Sequence, residues 1–142
     1  MNNLSIYQEK ILGLAAKNKK IIALKDFNRS FEMRNPMCGD EVKVRIKLVK
    51  DKIIDISAVV RGCALCEASA GLVVELFKNK NVPDEKFLNE FLSWLENTEK
   101  SFSDQLPIEM KIFEPIREIK NRHKCITMPF EATCRSVDFR DN

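Results

Sequence analysis

Val42-Lys43-Val44-Arg45-Ile46-Lys47-Leu48 sets an apolar side chain at every second position and a basic one between each pair. A period of two turns all four apolar residues to one side of an extended chain, so the stretch predicts a half-buried strand. After Lys50-Asp51-Lys52 the pattern resumes with Ile54, Ile56, Ala58 and Val60, and an antiparallel hairpin with a tight turn is the simplest arrangement. Upstream, Asn28 to Arg34 is a candidate third strand. The apolar face needs a cover, and downstream segments supply it. Leu72, Val73, Leu76 and Phe77 fall at helical spacing within Glu67 to Asn79, as do Phe87, Leu88, Phe91, Leu92 and Leu95 within Asp84 to Glu96. Pro83 just before Asp84 fits a helix N-terminus. Ser5 to Ala16 predicts a short amphipathic helix, followed by a solvated basic connector, Lys17 to Lys20. Pro107 and Pro115 exclude one long helix between Asn97 and Ile119, leaving short helical turns. The expected fold is α+β: a small antiparallel sheet of about three strands packed against helices.

The chain has 142 residues, 44% apolar and 32% charged, with five cysteines. That length predicts a single domain over residues 1–142, and the apolar fraction predicts a packed core. Lys and Arg number 24 against 21 Asp and Glu, interspersed along the chain, which gives no reason to expect nucleic acid as a partner. No run approaches the roughly 18–20 apolar residues that cross a bilayer. Met1 to Tyr7 lacks a basic secretory n-region, so a cytoplasmic location without membrane attachment is expected. An odd number of cysteines in a reducing compartment points to metal or sulfur chemistry before a disulfide frame.

Cys38-Gly39-Asp40 lies between Pro36 and the first strand. Glycine between two donor residues permits the sharp bend that aims both at one point. Alone, the triplet reads equally as a buried cysteine beside a turn. Cys63 follows Gly62 at the end of the second strand, and the helix beginning beyond it favours a thiolate there. Because a hairpin returns its second strand beside its first, Cys38, Asp40 and Cys63 share one sheet edge. Pro129 is best tolerated in a first helical turn, so a terminal helix is expected from near Thr127 with Cys125 just outside it. Three thiolates and a carboxylate would complete a four-coordinate zinc or iron site, although spacing alone does not assign Cys125 to it.

Three motifs occur in order: Asn35-Pro36-Met37-Cys38-Gly39-Asp40, Gly62-Cys63-Ala64-Leu65-Cys66-Glu67-Ala68-Ser69-Ala70, and Arg122-His123-Lys124-Cys125. Together they resemble the NifU/IscU/SufU family of iron–sulfur cluster assembly proteins, over the chain from about Ser5 onward. The long interval between Cys63 and Cys125 and the Arg-x-Lys-Cys pattern resemble the SufU branch. The resemblance implies a scaffold or sulfurtransferase-like partner of a pyridoxal-phosphate cysteine desulfurase, accepting persulfide sulfur and serving apo iron–sulfur acceptor proteins. IscU-type members assemble a transient [2Fe–2S] cluster, whereas SufU-type members hold zinc. By motif matching, Cys38, Asp40, Cys63 and Cys125 are the implied ligands and Cys38 the implied sulfur acceptor.

Asp40 has its own rationale, because one carboxylate among thiolates keeps an ion or cluster releasable. Lys124 stands where IscU-type members carry histidine, so His123 reads as a supporting or surface residue. Cys66 creates Cys63-x-x-Cys66 and reads either as a small buried residue or as a resolving thiol or alternative ligand. Cys134, nine residues after Cys125, falls half a rotation away on a helix and reads as packing. The competing reading is a noncatalytic binding module in which zinc only staples the fold; Asp40 weighs against it, since structural zinc sites mostly use cysteine and histidine.

Overall fold

The computed structural model describes residues 3–137. Among them the chain runs α1 (Asn3–Asn18), β1 (Arg29–Arg34), β2 (Glu41–Val49), β3 (Lys52–Arg61), α2 (Ala64–Phe77), β4 (Lys80–Asn81), α3 (Glu85–Glu96), two 3-10 segments (Ile108–Ile116 and Lys120–Arg122) and α4 (His123–Ser136). The strands form one antiparallel sheet in the order β1-β2-β3-β4. The expected third strand is β1; the two-residue β4 adds a fourth that its composition does not announce.

Val42, Val44, Ile46 and Leu48 all lie buried on the inner face of β2, as the alternation predicts. The pattern in β3 departs from expectation: Ile53 is buried while Ile54 is 39% exposed. Lys47 pairs with Asp55 and Leu48 with Ile53, so Ile54 is the extra residue of a β-bulge. Strict alternation would put Ile53 and Ile56 on opposite faces. The bulge buries both, and each buried isoleucine contributes about 1.5–3 kcal/mol, more than one interrupted ladder pair is worth.

Helix α2 packs on β3, and α4 on β1 and β2; α1 covers α2, and α3 leans on α4. Gly71 permits the α1–α2 approach, since a Cβ there would stand 3.0 Å from the Leu14 carbonyl oxygen. The basic stretch after residue 16 is partly helical: α1 continues to Asn18, whose buried amide donates to the Ala58 carbonyl at 3.0 Å and to Glu67 Oε2 at 2.6 Å. Asp84 caps α3 by accepting from the Phe87 N–H at 2.9 Å. Phe130 sits against Phe77, Phe87 and Phe91, its ring centre 5.1 Å from that of Phe91, and so joins α2, α3 and α4.

Helix α4 starts at His123, not near Thr127, and carries Pro129 in its interior. An internal proline disfavours a helix by roughly 3 kcal/mol, chiefly through the hydrogen bond it cannot donate. Cys125, Ile126, Met128, Phe130 and Ala132 are all fully buried along this helix, and their combined burial exceeds that penalty several times. Further support comes from the Ser69 hydroxyl, which donates to the Ile126 carbonyl from α2.

Candidate metal centre

The β1–β2 connection, residues 35–40, folds back on itself. The Asn35 N–H donates to the Asp40 carbonyl at 2.7 Å, the Gly39 N–H to the Asn35 carbonyl at 2.8 Å, and the Met37 N–H to Asn35 Oδ1 at 3.1 Å. Asn35 is buried beneath this loop and fixes its turn with its own side chain. Arg34 and Glu41 close its base as an ion pair between register partners. Gly39 adopts φ +78°, a left-handed conformation that a Cβ resists, and so turns Cys38 and Asp40 toward the same side.

Glu41 pairs with Arg61, so β3 delivers Gly62 and Cys63 beside this loop. Cys63 is the N-cap of α2, in an extended conformation, and its side chain makes no cap hydrogen bond. Asp40 instead takes both of its donors: the backbone N–H to Oδ1 at 3.1 Å and the thiol to Oδ2 at 3.3 Å. Asp40 lies directly over Gly62, where a Cβ would come within 2.3 Å of Oδ1. The carboxylate occupies the space that a side chain at position 62 would need.

From the other direction, α4 brings Cys125 in its first turn, with Cys38 Sγ and Cys125 Sγ 3.9 Å apart. One donor atom from each of Cys38, Asp40 and Cys125 lies within 4.8 Å of the others, and Cys63 joins them through Asp40. Of the four residues singled out in the sequence, Cys38, Asp40 and Cys125 form one group, and Cys63 adjoins it at Asp40. Cys38 is exposed, Cys63 half-buried, and Asp40 and Cys125 buried. A tetrahedral zinc ion with Zn–S near 2.3 Å and Zn–O near 2.0–2.2 Å separates its ligand atoms by about 3.5–3.8 Å. The 3.9 Å Cys38–Cys125 sulfur pair and the 3.3 Å Cys63–Asp40 sulfur–oxygen pair each lie within a few tenths of an ångström of such an edge, so Cys38, Asp40 and Cys125 could hold such an ion with Cys63 beside Asp40.

Electrostatics follow from the packing. Burial opposes the Asp40 charge, but hydrogen bonds from the Cys125, Cys63 and Cys38 thiols and the Cys63 N–H outweigh it and hold the carboxyl below its ordinary value. Burial, then the neighbouring Asp40 and Cys63, push the Cys125 thiol far up. The Arg122 guanidinium faces Cys125, Cys63 and Cys38 at the solvent side and is held charged by them.

Cys66 lies fully buried in the first turn of α2, its thiol pushed far up by burial and by Asp40. It is a core thiol here. His123 is bound to backbone: its Nε2 lies 3.1 Å from the Ile116 carbonyl oxygen and 2.9 Å from that of Arg117, an arrangement that anchors the start of α4. Cys134 lies on α4, half-buried and outside the donor group. Sequence reading missed the parts of Asn35, Gly62 and Arg122: Asn35 and Arg122 were visible only as motif letters, and Gly62 only as the residue before Cys63.

Residues 6–93 match the model of the NifU-like N terminal domain. The zinc-dependent sulfurtransferase SufU of Bacillus subtilis is 24% identical over 107 residues, covering 75% of this chain and 72% of that protein. The iron–sulfur cluster assembly scaffold protein IscU of Thermotoga maritima is 26% identical over 132 residues, 89% of each chain. In fold, a SUF-system scaffold protein from Fervidobacterium islandicum superposes with a TM-score of 0.78 at 24% identity, over 96% of this chain and all of that one. A NifU-like N-terminal structure from Brucella abortus gives 0.70 at 23% identity, over 93% of this chain and 92% of that one.

Proposed function

Because the chain belongs to the NifU-like N-terminal domain family, we propose that it serves iron–sulfur cluster assembly, accepting persulfide sulfur from a cysteine desulfurase and holding zinc or a nascent [2Fe–2S] cluster on Cys38, Asp40, Cys63 and Cys125. The observation that supports this reading is the approach of those donors from three separate chain segments, with Cys38 exposed and Asp40 and Cys125 buried. Relatives named for zinc-dependent sulfur transfer and for cluster scaffolding support both halves of it.

Cys38 is the acceptor in this reading. It is exposed at the tip of a hairpin loop, between the 92%-exposed Met37 and the Gly39 turn, where a partner's persulfide can reach it. Cys125 and Asp40 lie behind it and are shielded from bulk solvent. A bound zinc ion would supply Lewis acidity and keep the ligating sulfurs ionised; iron and sulfide would be cargo. Asp40 is the exchangeable ligand, a hard oxygen among soft sulfurs, and Gly62 leaves the room it needs. Arg122 keeps positive charge beside the sulfurs. The chain works in the cytoplasm, and apo iron–sulfur proteins receive the product.

Anaerobic incubation with iron, cysteine and a pyridoxal-phosphate cysteine desulfurase tests the reading. Expected outcomes are a thiolate-to-iron absorption band and a persulfide on Cys38 by mass spectrometry. Absence of both excludes it. If Asp40→Ala unfolds the chain yet leaves sulfur transfer intact, zinc merely staples the fold.

A further inference from the structure

Cluster assembly needs sulfur as sulfide, whereas a persulfide delivers it two electrons more oxidised. The Cys38–Cys125 pair holds those two electrons. We propose that Cys125 is a resolving thiol: it attacks Sγ of a Cys38 persulfide, forms a Cys38–Cys125 disulfide and expels sulfide into the site. This rests on the reading of Cys38 as sulfur acceptor.

The step balances within the chain. Cys38–S–SH and Cys125–SH become Cys38–S–S–Cys125 and hydrogen sulfide: the Cys38 S–SH bond breaks, the bond between the two Sγ atoms forms, and the thiol proton leaves with the sulfide. The terminal sulfur is reduced and the thiols are oxidised by the same two electrons. A dithiol reductant then restores both cysteines by thiol–disulfide exchange.

The two Sγ atoms stand in direct contact at 3.9 Å, so closing them to an S–S bond of about 2.05 Å joins Cys125 to the inner sulfur. The terminal sulfur is then free to depart outward, since Cys38 is exposed. Attack on the terminal sulfur would instead move the persulfide to Cys125, an outcome that peptide mapping distinguishes. Cys125, fully buried, is reached from within the site and not by bulk thiols. Cys66, also fully buried, sits in α2 beneath Cys63 and is not in the Cys38–Cys125 contact.

The test uses the full chain, anaerobic and free of added thiol, given one equivalent of cysteine and a catalytic amount of desulfurase. Wild-type chain is expected to release about one equivalent of sulfide and to yield a Cys38–Cys125 disulfide by peptide mapping. Cys125→Ser is expected to trap the persulfide on Cys38 and slow sulfide release at least tenfold, while Cys66→Ala releases it as wild type does. Retention of the persulfide on wild-type Cys38, its migration to Cys125 without a disulfide, or undiminished release from Cys125→Ser would each overturn the inference while leaving the acceptor reading intact. Absence of any persulfide on Cys38 in Cys125→Ser, with no disulfide in wild type, defeats both. The disulfide readout needs no variant and holds even if Cys125→Ser folds poorly.

Discussion

A methyl group on Gly62 would stand 2.3 Å from Asp40 Oδ1 and 2.6 Å from its Cγ. Asp40 cannot simply swing aside, because the Cys63 N–H and thiol both hold it. Gly62→Ala should therefore leave the circular dichroism spectrum unchanged but weaken cobalt or zinc binding by about 10–100-fold, the usual effect of disturbing a ligand's support. Titration of the thiolate–cobalt absorption measures it, and wild-type affinity in the variant would refute the role given to Asp40. Asp40 also makes stability depend on pH in the metal-free chain. Desolvation opposes its charge, but the thiol and N–H donors prevail and lower its folded value from the ordinary 3.8. Its contribution is complete above 3.8 and is lost as pH falls through the lower folded value. Asp40→Asn should flatten this acid limb in urea midpoints measured across pH. Cys66 and Cys125 act at the other end: burial first, then neighbouring negative groups, raise their folded values above the ordinary 9.0. Their contribution is full below 9.0, and stability should fall as pH rises beyond it, less steeply in Cys66→Ala.

Helix α3 shows which elements stand independently of the site. Its cap, Asp84 to the Phe87 N–H at 2.9 Å, lies far along the chain from the donors, so Asp84→Ala should cost about 1 kcal/mol in urea unfolding and leave cobalt affinity unchanged. This element was readable because local features define it: Pro83, an acidic cap and an apolar stripe. The β2–β3 hairpin was readable for the same reason, and its geometry correctly brought Cys38, Asp40 and Cys63 to one edge. The bulge was not, because Ile53 and Ile54 are identical letters and only packing against Leu48 selects the first. Nor was the start of α4, where burial of five side chains overrides the local rule against an internal proline such as Pro129. Cys125 reaches the site through that tertiary packing, so spacing alone left it unassigned and only the motif resemblance placed it. Asn18, Asn35 and Gly62 act through contacts with residues that local pattern does not bring near.

Three chain segments meet at the donor group: the 35–40 loop, the β3–α2 junction and the first turn of α4. The last of these is held from behind. Arg117 donates to the Trp94 carbonyl at 2.8 Å, to the Lys100 carbonyl at 2.7 Å and to Asn97, and its guanidinium stacks on Trp94 at 4.6 Å. Its own carbonyl meets His123, at the start of α4. An ion bound at the site would tie these segments together only in the folded state, so it must stabilise the fold by linkage. Zinc buffered at about 100 times its Kd should add about 2.7 kcal/mol to the wild-type chain. At the same zinc concentration, Gly62→Ala, with affinity weakened about 10–100-fold, should gain only about 0.4–1.4 kcal/mol. Arg117→Ala should behave differently: it leaves the Trp94, Asn97 and Lys100 carbonyls without their donor and lowers stability by about 2–4 kcal/mol even without zinc. Urea unfolding of the three proteins, each with and without zinc, separates the cases. A zinc increment in Gly62→Ala equal to wild type would mean that the ion does not depend on Asp40, and would refute the coupling assigned to that carboxylate.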